Sequence, residues 1–149
     1  MEAIRIIEIS DRKMVSSGIG MFGEEKFEHF EQWFSTIPRD IFPKDFLFWD
    51  NTTKEKEGFH WLYIYEDGLS VPAEFEIIDF TGGLYAVSTG IDQQTDMEAM
   101  TMEVDKFLAE HGFQRDLSRF QLGNSFTAPA AKEILGYDQM DYYTPIKKA

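Results

Sequence analysis

Apolar residues along the chain change period in a repeating order. Arg5–Ser10 (RIIEIS) and Glu76–Thr81 (EIIDFT) alternate and are rich in β-branched residues, the pattern of half-buried strands. Each is followed by turn residues (DRK, then GG) and by a near-identical phrase, VSSGI at Val15–Ile19 and VSTGI at Val87–Ile91. Both halves are therefore expected to open with a hairpin, and Gly82-Gly83 can supply the positive φ that a tight turn requires.

Helical spacing then takes over. Phe27, Phe30, Phe34 and Ile37 recur at three and four residues within Gly23–Ile37, which Pro38 closes. Met97, Met100, Val104, Phe107, Leu108 and His111 do the same within Thr95–Gly112. Thr95 or Asp96 suits the second helix's N-cap, Gly112 its C-terminus, and His111 complements its dipole. At the spacing of the repeated phrase, Asp45–Asn51 (DFLFWDN) lies over Leu117–Gly123 (LSRFQLG), with Phe48 opposite Phe120. Gly58–Tyr65 corresponds to Met140–Ile146 after extra residues around APAAKEILGY, and Pro145 suits an edge or a strand end. The chain reads as an internal duplication: one α+β domain over 1–149, with pseudo-repeats of about 1–68 and 73–149 joined near Glu66–Pro72. The expected architecture is a mostly antiparallel eight-stranded sheet with two long helices.

Composition narrows the function. At 149 residues, 43% hydrophobic and 15% aromatic, the chain can bury one sizeable core and is not disordered. No apolar run approaches the roughly 18 residues of a membrane span, and MEAIRIIEIS carries no secretory signal, so a cytoplasmic, membrane-free protein is expected. The absence of cysteine excludes disulfides, thiolate catalysis and cysteine-ligated metals. A net charge of −13 repels phosphate backbones, so no direct nucleic-acid partner is expected. That acidity either serves solubility or draws cationic ligands and basic partners.

His29, His60 and His111 have no ligand spacing, and no nucleophile elbow or phosphate loop is present. No metal and no cofactor are expected. Aromatic residues around the junction of the repeats are the candidate lining of a site: Trp49, Trp61, Tyr63, Tyr85, Phe120 and Tyr143, with Met100 beside them. Their faces would attract an organic cation, although most aromatics in a domain this size fill the core. Met97 and Met100 read as core, with Met102 turned outward.

Several landmarks in this order resemble the gyrase-inhibitor-like small-molecule-binding superfamily, which includes effector-binding domains of AraC-type and multidrug-sensing MerR-type transcription regulators. They are FPKDFLFWDN in the first half, FTGGLYAVSTG opening the second, and the closing DYYTPI. The resemblance spans essentially the whole chain. It implies two strand–helix–strand–strand repeats with a ligand bound between them, held by aromatic walls and a buried acid. In the family that acid commonly lies in a Phe-Glu-x-Tyr strand, where this chain has Gln121 and then Gly123. The family's closing strand often carries another acid, whose position matches Asp141, on the same strand face as Tyr143. Asp141 is the candidate cation partner; a solvated edge-strand aspartate is the alternative.

The resemblance thus implies a stand-alone domain, without a helix-turn-helix, that binds drug-like aromatic or cationic amphiphiles. One alternative is a hydrolase of small electrophiles in the same cleft, with Asp141 and Tyr143 or Tyr85 placing water. The other is an acidic inhibitor that binds a basic protein. The balance favours a binding domain over an enzyme. A protein partner or a homodimer stays open.

Overall fold

The computed structural model describes residues 4–39 and 42–149, and its chain divides into two compact units. The continuous unit is Asp11–Thr81; the composite unit joins the N-terminal segment up to Ser10 with Gly82–Ala149.

In the continuous unit, strands β2 (Arg12–Gly20), β3 (Asp45–Asp50), β4 (Gly58–Ile64) and β5 (Glu76–Phe80) run antiparallel in the order β3-β4-β2-β5. Helix α1 (Glu25–Ser35) carries Phe27 and Phe30 into a core with Val15, Trp61, Tyr63 and Phe75. The VSSGI phrase forms an irregularity. The β2–β4 register slips between Ser16 and Ile19, Gly18 adopts φ 77°, and the Ser17 hydroxyl accepts from the Trp61 backbone N–H at 3.1 Å.

The composite unit holds β1 (Arg5–Ile9), β6 (Gly83–Ile91), β8 (Leu122–Ser125) and β9 (Gln139–Lys148) in the order β1-β6-β9-β8, with the three-residue β7 (Phe113–Arg115) also on β9. Helix α2 (Met97–His111) lays Val104 and Leu108 on Ala86 and Ile146. Asp96 caps it by accepting from the Ala99 N–H at 3.1 Å, and Gly112 ends it with φ 77°, both as the sequence implies. A short α3 (Pro129–Leu135) forms from the extra residues near APAAKEIL. The α+β, mostly antiparallel class is as expected, with nine strands and three helices described instead of eight and two.

The opening hairpins do not form. β1 pairs with β6 and β2 with β5, so the two initial strands are exchanged between the repeats. RIIEI and EIIDF have nearly the same pattern, and that pattern decides which side chains turn inward but not which strand receives the ladder. Gly82 and Gly83 consequently serve close approach. A Cβ on Gly82 would collide with the Ile9 carbonyl. One on Gly83, where φ is 148°, would meet the Arg119 guanidinium at 2.6 Å.

Two further expectations shift. Phe120 is not the counterpart of Phe48, because β8 begins only at Leu122. Asp45 faces Tyr63 in one ladder, and Leu122 faces Tyr143 in the other. Pro145 sits within β9, opposite Tyr85 on β6, instead of at an edge.

Candidate functional site

Strand alternation sorts the composite unit's residues into two faces. On β6, Tyr85, Val87 and Thr89 stand opposite Pro145, Tyr143 and Asp141 of β9. Arg5 of β1 faces Val87, while Leu122 and Asn124 of β8 face Tyr143 and Asp141. These residues share one face. Ala86 and Ile146, one residue out of phase, carry α2 on the other.

Asp141 is the centre of that face. It is 4% exposed, on a strand paired on one side with β6 and on the other with β8. One carboxylate oxygen accepts from the Thr89 hydroxyl at 2.5 Å, the other from the Arg5 guanidinium at 2.8 Å. The pairing is asymmetric, because the Arg5 side chain remains 56% exposed against 6% for Asp141. A buried carboxylate requires such donors, since leaving it unpaired costs several kcal/mol.

Tyr143 stands two residues on, also buried. Burial first, and then the Asp141 charge, push its hydroxyl up to about 12, against a hydrogen bond from the Asn124 side chain. Asn124 is itself buried, and its Oδ1 has no hydrogen-bond partner among the described residues. Tyr85 meets Tyr143 edge-on, with ring centroids 6.2 Å apart. The Arg119 guanidinium lies 4.7 Å from the Tyr85 ring centroid. Arg119 also donates to the Leu84 and Ile146 carbonyls at 2.8 and 2.9 Å and to Asp116 at 3.0 Å. That fixed guanidinium holds Tyr85 in place.

The continuous unit contains a second aromatic assembly. Trp61 meets Phe27, Phe34, Phe30 and the exposed Phe22 at 5.2–5.9 Å between centroids, and Phe34 stacks on Tyr63 at 5.7 Å. Beside it, Asp45 accepts from the Trp61 indole N–H at 3.0 Å. Burial pushes the Asp45 carboxyl above its usual value, against the lowering effect of that hydrogen bond and of Arg39.

Of the sequence candidates, the structure gathers Asp141, Tyr143 and Tyr85 on one face. Met100, on α2, packs against the Ala86 and Ile146 cluster on the opposite face, and Met97, expected in the core, is 40% exposed. Phe120 and Gln121 precede β8 and are exposed, so Gln121 does not occupy the inward position of an acid. Trp61 and Tyr63 are core residues of the continuous unit, where Trp49 is exposed against Phe59. Sequence reasoning missed Arg5, Thr89, Asn124 and Asp45. Arg5 and Thr89 follow only from the β1–β6–β9 pairing, and Asn124 only from the true start of β8. Asp45 was legible as the acid opening an aromatic strand.

No protein-family model matches the sequence, and a comparison with curated protein sequences finds no match. Solved structures do match in fold. A hydrolase from Listeria innocua encoded by lin2189 superposes with a TM-score of 0.66 at 10% identity, covering 97% of this chain and 91% of its own. The C-terminal domain of EcmrR gives 0.63 at 9% identity, with 98% of each chain covered. SAV2435 bound to tetraphenylphosphonium gives 0.55 at 12% identity, covering 99% of this chain and 94% of its own. Across nearly its whole length, this chain shares its fold with the lin2189-encoded hydrolase, with the EcmrR C-terminal domain and with SAV2435 in its tetraphenylphosphonium-bound form.

Proposed function

We propose that this chain is a binding domain for small aromatic or amphiphilic cations, with Asp141 as the charge partner and Tyr143 and Tyr85 as aromatic wall. The observation that carries the reading is the buried Asp141 carboxylate beside two buried tyrosines, balanced by an arginine that is itself mostly in water. Such a carboxylate gains from a cation delivered in an apolar body, because the body displaces water while the charge replaces a solvated partner. The fold shared with the tetraphenylphosphonium-bound SAV2435 supports the same ligand class. Both Asp141 oxygens already accept hydrogen bonds, which favours charge pairing over water activation and so binding over hydrolysis.

Calorimetric titration with aromatic cations, from tetraphenylphosphonium to 1-naphthylmethylammonium, tests this against tetraphenylborate, an anion of similar shape. Saturable binding of a cation with one site per chain, and none of the borate, is the expected result. Equal binding of both charges, or no saturable binding of any cation, contradicts the reading.

A further inference from the structure

We infer that the Asp141 face selects cations that carry N–H donors (protonated amines, amidines or guanidines) over fully alkylated ones, and that Arg5 is its resident competitor. The inference rests on the binding reading above and specifies its ligand.

Three observations converge on it. The first is the unpartnered acceptor. Asn124 is 3% exposed and stands directly opposite Asp141 in the β8–β9 ladder, yet its Oδ1 has no partner among the described residues. Directly opposed residues in an antiparallel pair project to the same side with Cβ atoms roughly 5 Å apart. The Asp141 carboxylate and the Asn124 amide, each with an acceptor oxygen, therefore project from the same side of the sheet. A buried acceptor without a donor is costly, and an incoming N–H removes that cost where a methyl group cannot.

The second is what holds Asp141 now. Its charged partner is a guanidinium donating one N–H at 2.8 Å, so the site already shows the geometry of an N–H cation on this carboxylate. The third is that this partner is replaceable. With the Arg5 side chain 56% exposed, its charged head can return to water, where exposed ion pairs contribute little. Thr89 remains on the other oxygen throughout, orienting the carboxylate. A ligand N–H thus takes the place of Arg5 on Asp141 and can extend a second donor to Asn124.

The test compares 1-naphthylmethylammonium with its N,N,N-trimethyl analogue, which keeps the charge and the ring but has no N–H. Both are titrated calorimetrically into wild type, Arg5→Gln, Asn124→Leu and Asp141→Asn, with each variant's fold checked by circular dichroism. The expected result is about tenfold tighter binding of the primary ammonium by wild type, the worth of one charge-assisted hydrogen bond. Arg5→Gln tightens both ligands several-fold, and Asn124→Leu brings them closer to equality. If Asn124→Leu fails to fold, Asn124→Ser, smaller and still polar, takes its place, with the selectivity again reduced. Equal or tighter binding of the trimethyl compound by wild type overturns the donor selection while the binding reading stands. Unchanged affinity in Arg5→Gln overturns the competitor role. Absence of binding by every cation overturns both this inference and the function it rests on.

Discussion

Arg5 and Asp141 lie 136 positions apart in the chain and 2.8 Å apart across the composite unit, joined because the first strand pairs with β6. The two partners differ in how they hold the carboxylate. Thr89→Val removes a short bond onto a buried charge and is expected to cost about 1.5 kcal/mol. Arg5→Gln removes a largely solvated partner and is expected to cost about 0.5–1 kcal/mol. Urea denaturation at pH 7 measures both; a larger loss in Arg5→Gln contradicts the view of Arg5 as the replaceable member.

Tyr143 should titrate late. Its hydroxyl is pushed up to about 12 by burial and then by the Asp141 charge. Ultraviolet difference titration should show one tyrosine with a midpoint near that value, lost in Tyr143→Phe. In Asp141→Asn the midpoint should move down, because removing the negative charge makes the phenolate easier to form. An unmoved midpoint would mean that Asp141 does not act on this hydroxyl.

Asp45 gives a pH signature of opposite kind to an ordinary paired acid. Burial raises its carboxyl above the usual value, so the folded state holds the proton more tightly than the unfolded chain. Its contribution to stability is fully present below the unfolded value, near 3.8, and is lost as pH rises through the folded value. Asp45→Asn keeps an acceptor for the Trp61 indole and removes the desolvated charge. The variant is expected to melt higher than wild type at pH 7, with the difference closing as the solution is acidified below that window. A lower melting temperature at pH 7 contradicts this account.

The glycine pair tests the exchanged strands. Gly83→Ala places a methyl group within 2.6 Å of the Arg119 guanidinium at a φ that side chains rarely adopt. It is expected to cost about 1–3 kcal/mol and to loosen Arg119 from Tyr85. Gly68→Ala, also at positive φ but with open space around the Cβ, provides the comparison for conformational strain alone. A loss no larger at Gly83 than at Gly68 contradicts the packing role.

Much of this was legible in the chain, and the failures share a physical cause. The phenylalanine spacing in α1 and the Asp96 and Gly112 caps of α2 specify their helices locally, and DYYTPI marks a strand with Asp141 and Tyr143 on one face. What was not legible is pairing. RIIEI satisfies β2 as readily as β6, so its pattern alone does not place Arg5 beside Asp141; the pairing of β1 with β6 does. β8 begins at Leu122, two residues after Phe120, the residue that the sequence spacing sets opposite Phe48. That shift leaves Gln121 in solvent and turns Asn124 inward, a change of face that residue type alone does not signal.

The central claim is that a cation docks on the Asp141 face, and a nuclear magnetic resonance titration locates it most directly. Resonances of the Asp141 carboxyl carbon and of the Tyr143 and Tyr85 rings are followed as 1-naphthylmethylammonium is added. The account predicts that all three move together along one saturation curve and stay still in Asp141→Asn. Shifts confined to Trp61, Phe34 and Asp45, with Asp141 and Tyr143 unmoved, would place the ligand in the other aromatic assembly and contradict it.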